Sequence, residues 1–270
     1  MNTEEEWCEF DRRFSEEVIE IVAVTGPTGI HAGRAGGKVL WNASISLVGW
    51  KERTNDAPLI EEERRLEWLA NDQEWEKTKH LFSPYSMIRL LVRKGESSFM
   101  LLQALDTSYV DDSLQQLLDE AKKPVFYEDQ TFGTFQLDKR VKLFEKNLSW
   151  AGEQGILYFD WDEDEGVMKA SLKTAQTLFA DELEWDRKIR TFAADELVGL
   201  ANDWLMDIEE GEPEPMTNEQ FINLMTFESM SVYPGGDFEI FFADGDMFAG
   251  HVIIVAGNIE GTFASAEMAG

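Results

Sequence analysis

The pattern of apolar and polar residues from Val18 to Thr25 and again from Lys38 to Trp50 predicts β-strands. The segment between them, TGPTGIHAGRAGG over residues 25–37, holds five glycines and one proline and predicts a loop with wide backbone freedom. Leu66, Trp68 and Leu69, set among charges, predict a short helix. Ser86 to Arg93 and Ser98 to Leu105 then pair as a hairpin across Lys94-Gly95-Glu96. Asp111-Asp112-Ser113 ahead of Leu114, Leu117 and Leu118 predicts a capped amphipathic helix that stops at Lys122-Lys123-Pro124.

Beyond that stop, Phe132 to Leu137 opens a run of strands that continues through Leu143 and Ile156 to Trp161 and ends at the acidic turn Asp162 to Gly166. Two apolar stripes at helical spacing follow: Leu172, Ala175, Leu178 and Phe179, then Ile189, Phe192, Leu197, Leu200 and Trp204. An acidic linker, Asp207 to Pro215, closes the helical block. Thr217 with Gln220 three residues later is a capping box that starts a short helix through Met225. Strands resume from Phe227, punctuated by Pro234-Gly235-Gly236-Asp237, Asp244-Gly245-Asp246 and Gly257-Asn258. The pattern predicts an α+β protein. Residues 1–123 form a small β-rich domain, and residues 124–270 form an α+β domain whose antiparallel strands flank a helical block.

Charge sharpens this division. The chain carries 24 Lys and Arg against 53 Asp and Glu, a formal net charge of -29. Residues 1–123 hold 23 acidic and 15 basic side chains, whereas residues 124–270 hold 30 and 9. Such a field repels nucleic-acid phosphates and anionic membrane surfaces, and it attracts basic proteins or cations. No apolar run approaches the roughly 18 residues a membrane span needs, and the start MNTEEEWCEF is acidic where a secretory signal is basic. The expectation is a cytoplasmic protein with a basic protein partner, no nucleic acid and no membrane. A lone cysteine, Cys8 in an acidic stretch, and three histidines leave thiol catalysis and zinc sites poorly supplied.

Two segments carry candidate chemistry. The glycine-rich loop ends in Lys38, but Val39 and Leu40 follow where a phosphate loop needs Ser or Thr opening a helix. A mobile inter-strand loop is the simpler account, with His31 and Arg34 available to a ligand or partner. The second segment is Asp237-Phe238-Glu239 with Asp244 to His251. Asp237, Asp244, Asp246 and His251 together would suit a hard divalent cation, although EF-hand spacing is missing. Asp-Gly is equally a hairpin-turn signal in which the Asp side chain bonds its own backbone, and turn chemistry is the favoured reading. By strand alternation His251 shares a face with Ile253 and Val255, as a packed structural histidine does. The tryptophans are spread among elements rather than gathered into a sugar platform.

The stretch FESMSVYPGGDFEIFFADGDMFAGHVIIVAGNIEGTFASAEMAG, with LANDWL and FGTFQLDKRVKLFEKNLSW upstream, resembles an uncharacterised bacterial family, domain of unknown function 2262. The resemblance covers about residues 124–270, and the N-terminal part looks like a companion domain of unknown function. It implies no catalytic residues, because the family has no established activity. By analogy with related acidic α+β families, it points to a non-enzymatic binding protein of the immunity type that neutralises a bacterial toxin. The alternative is a metal-dependent enzyme or metal-binding module built on the Asp244/Asp246/His251 turn.

Overall fold

The computed structural model describes residues 2–54, 57–208 and 214–270. The chain divides into two compact units, residues 1–123 and 124–270. The fold is α+β.

The first unit runs α1 (Thr3–Asp11), β1 (Phe14–Thr25), β2 (His31–Gly33), β3 (Trp41–Glu52), β4 (Arg64–Ala70), α2 (Asp72–Thr78), β5 (Met87–Gly95), β6 (Ser98–Asp106) and α3 (Asp112–Lys122). The sheet order is β1-β5-β6-β4-β3-β2, and β1 also pairs with β3, so β1, β5, β6, β4 and β3 close into a barrel. All pairings around it are antiparallel except β4 with β6. This is the five-stranded Greek-key arrangement of OB-fold barrels, an architecture that by itself assigns no ligand. Closure removes the free edges that an open sheet of this size would expose. Ile21, Ala23, Ile45, Leu47, Trp50, Leu66, Trp68, Leu90, Val92 and Phe99 fill its interior.

Leu66, Trp68 and Leu69, expected on a short helix, lie in strand β4. Leu66, Trp68 and Ala70 belong to the barrel core, while on the other face Glu67 binds Arg13 and Leu69 packs with Phe10, so the alternation that runs from Arg65 to Trp68 breaks at Leu69. Helix α1 is a further element; its Asn2 side chain accepts the Glu5 amide and Glu5 accepts the Asn2 amide, a reciprocal cap. The helix at residue 112 begins where expected, with Asp111 accepting the Ser113 amide at 2.9 Å.

The second unit runs β7 (Phe126–Asp129), β8 (Gly133–Asp138), β9 (Leu143–Trp150), β10 (Glu153–Asp160), α4 (Glu165–Phe179), α5 (Glu182–Ile208), α6 (Asn218–Leu224), β11 (Thr226–Val232), β12 (Asp237–Ala243), β13 (Val252–Asn258) and β14 (Thr262–Ala269). Its sheet lies in the order β14-β13-β12-β11-β10-β9-β8-β7. The strands on either side of the helical block meet at β10 and β11, the one parallel pair, because a helical crossover returns the chain in the same direction. Phe159, Phe227, Met230, Phe238, Ile240, Phe242, Ile253 and Val255 face the helices and are buried with Leu172, Ile189, Ala193 and Leu197. The opposite face of the sheet carries the row Glu145, Tyr158, Ser231, Glu239 and Ala256, matched by register. The acidic linker expected over Asp207 to Pro215 lies mostly outside the described residues; α5 itself extends to Ile208. No described helix is long and apolar enough to cross a membrane.

Candidate functional site

The residues proposed for a cation are not brought together. Asp237 begins β12 and Asp244 follows its end, about 23 Å apart along an extended strand. Asn258 donates its side-chain amide to Asp237 at 2.6 Å. Asp244 is 3% exposed, and its carboxylate accepts three backbone N–H groups: Asp246 at 3.0 Å, Phe248 at 2.7 Å and Gly250 at 3.1 Å. Its oxygens are therefore committed to folding the loop back on itself. Asp246 is exposed and stands at φ 68, a left-handed conformation that Asp tolerates better than most residues. Among the described residues, no three His, Cys, Asp or Glu side chains are grouped to hold a metal ion.

The loop's product is packing. Gly245 stands at φ 57, and a Cβ there would come within 2.6 Å of the Leu224 carbonyl, so only glycine lets the turn lie against the end of α6. That seating drives Met247 and Phe248 into the core, where Phe248 meets Trp204 at 5.7 Å and Phe221 at 6.2 Å between ring centroids. Burying each of these side chains is worth about 1.5–3 kcal/mol. His251 is half-buried, just before β13 rather than within it. Its Nδ1 donates to the Phe248 carbonyl, and its ring meets Trp204 edge-on at 5.4 Å.

The glycine-rich loop borders a cleft of about 490 Å³ lined by Glu9, Arg13, Arg34, Lys38, Asn42 and Leu69 among others. Each of its cations already has a carboxylate: Arg13 binds Glu67 through contacts of 3.0 and 2.9 Å, Lys38 reaches Glu9 at 3.3 Å, and Arg34 pairs with Asp72. Arg34 also lies 4.1 Å above the Trp41 ring, which stacks on Trp75. Backbone amides of the loop are used as well. Val39 and Leu40 donate to the buried Glu6 at 2.7 and 2.9 Å and hold its carboxyl below the usual range. β3 follows this loop, not the helix a phosphate loop requires.

What the second unit leaves free is negative charge. Arg187 and Lys188 both pair with Glu184, whose carboxyl is lowered to about 2 chiefly by the hydrogen bond from Arg187. Lys169 pairs with Glu165. Arg190 is buried against Asp186, Glu153 and the Met225 carbonyl. Asp195, Glu196 and Asp203 stand exposed on α5, and among the described residues no cation pairs with Glu196 or Asp203. On the helix-free face of the sheet, Tyr233 donates to Glu239 at 2.8 Å. Burial, then Glu239 and Asp160, push its hydroxyl up to about 12.

A family model described as "Uncharacterized protein conserved in bacteria (DUF2262)" matches residues 129–268. The chain belongs to this family. Residues 6–121 match a second model, "Domain of unknown function (DUF7021)". The DUF2262 match spans the sheet from Asp129 in β7 to Met268 in β14, and with it the Asp244 loop and the acidic face of α5. A search of the curated proteins finds no match.

Proposed function

We propose that the chain is a non-enzymatic binding protein that recognises a basic protein through its second unit, in the concrete form of an immunity-type protein that neutralises a bacterial toxin. The observation that carries this reading is the uneven charge: 30 acidic against 9 basic side chains in residues 124–270, with Arg187, Lys188, Lys169 and Arg190 already spent on internal pairs. The surplus carboxylates are exposed, so they raise encounter rates with a cationic surface and reject anionic ones. The chemistry-bearing loop supports the same reading, because Asp244 and His251 act as packing and hydrogen-bonding residues there.

The test is capture from the native host with the full-length chain as bait at low ionic strength, followed by elution in rising salt. A basic protein retained and released by salt, encoded beside the bait and toxic when expressed without it, supports the proposal. Retention of no protein at low salt counts against it.

A further inference from the structure

We propose that the free edge of β14 receives an extended basic segment of a partner protein as an added strand of the sheet. This rests on the reading of the second unit as a protein-binding surface and names where on it the partner sits.

The sheet's two edges differ. β7 is four residues long and carries Glu128 and Asp129, which suits an edge closed to further pairing. β14 is eight residues long, Thr262 to Ala269, and pairs only with β13 among the described residues. It contains neither proline nor lysine, and its single charge is Glu267. Thr262, Ala264, Ser265, Glu267 and Ala269 are exposed. Small side chains along an unpaired row of N–H and C=O groups form a template for strand addition.

Helix α5 gives the added strand its chemistry. Phe192 stacks on Phe263 at 5.0 Å, and Trp204 meets His251, the residue before Val252, whose partner is Ala269. The helix from Phe192 to Trp204, about 18 Å of axis, therefore follows the strand from Phe263 to Ala269, about 20 Å. Phe192, Glu196, Leu200 and Asp203 fall on one helical face by their i, i+4, i+8, i+11 spacing. Phe192 anchors that face to β14. Glu196, Leu200, which is 38% exposed, and Asp203 then continue it beside the strand into solvent. A ninth strand would bring alternate side chains against Glu196 and Asp203 on this side and near Glu267 on the other. Lysine or arginine at alternate positions is the complement. A second copy of this chain is the poorer occupant, since each copy brings a net charge of -29.

The probe is a short synthetic peptide alternating lysine and threonine, titrated against the full-length protein at low salt, with amide hydrogen exchange read along β14. The expected result is saturable binding that slows exchange of the alternate β14 amides pointing away from β13. N-methylating the peptide at alternate residues removes its pairing N–H groups and should abolish that protection. Glu196→Lys with Asp203→Lys, both on the exposed helix face, should weaken binding about tenfold at low salt and about twofold near 1 M salt, where screening is short-ranged. Binding that survives N-methylation, or that leaves β14 exchange unchanged, overturns the edge proposal while leaving acidic recognition elsewhere on the unit standing. No binding of the peptide at low salt overturns it too, and capture of a native basic partner then shows that the broader reading survives. Protected β14 amides in a concentration-dependent dimer without peptide would assign the edge to a second copy, contrary to the proposal.

Discussion

Removing the Asp244 carboxylate should unfasten the loop that seats Phe248. Three backbone donors converge on this one group, and the Phe248 amide is buried. A hydrogen bond to a charged acceptor contributes about 1.5–3 kcal/mol, and a buried donor left alone costs about 1–3 kcal/mol. The Asp246 and Gly250 amides are only part-buried, so water replaces some of what they lose. Asp244→Ala should therefore cost about 3–5 kcal/mol. Asp244→Asn keeps one acceptor oxygen for Phe248 and Gly250 but makes those bonds neutral and turns its NH2 toward the Asp246 amide, so it should cost about 2–4 kcal/mol. Native-state hydrogen exchange of the Phe248 amide isolates this loop from the first unit, and urea unfolding with an unchanged denaturant slope gives the global value. An Asp244→Ala variant within about 0.5 kcal/mol of wild type would refute the reasoning. So would wild-type protein that gains stability from added Ca²⁺ or Mg²⁺ when Asp244→Asn does not, since the carboxylate would then be a ligand.

Arg190→Met should cost about 2–4 kcal/mol by stranding Glu153 and Asp186, with part recovered in the Arg190→Met/Glu153→Gln double variant on a double-mutant cycle. Gly155→Ala places a Cβ 2.3 Å from the Phe227 ring and 2.5 Å from the Glu228 carbonyl. It should destabilise by about 1–3 kcal/mol in thermal unfolding, and a neutral result would mean that the β10–β11 contact is looser than described. Glu6 has a folded pKa held below its ordinary 4.5 by the Val39 and Leu40 amides, so its contribution is present above 4.5 and is lost as pH falls through the lowered folded value. Protection of the Val39 and Leu40 amides, measured against their intrinsic exchange rates at each pH, should fall through that acidic window, and Glu6→Gln should flatten the response.

The helix at residue 112 and the capping box at Thr217 were readable because one local side-chain bond sets each start. The strands of the second unit were readable because the sheet has one helical and one helix-free face, which preserves alternation along β12 and β13. β4 was not, because α1 covers its outer face: Arg13 neutralises Glu67 there, and Leu69 joins Phe10, Phe14 and Met100. With Leu69 apolar on that outer face, the alternation runs only from Arg65 to Trp68, too short to outweigh the helix-like i, i+3 spacing of Leu66 and Leu69. The Asp244 turn was legible as a turn, since Asp-Gly favours local backbone bonding. That its carboxylate would gather three amides, and that Asp237 would stand a strand's length away, depended on the path of β12 and the seat beneath α6.

Acidic recognition of a basic protein is tested most directly by calorimetric titration of the full-length chain with its captured partner across ionic strength. The account predicts stoichiometric binding that weakens at least about tenfold between low salt and about 1 M salt, where the screening length falls to about 3 Å. Affinity indifferent to salt, or a captured partner with no basic surface, would contradict it.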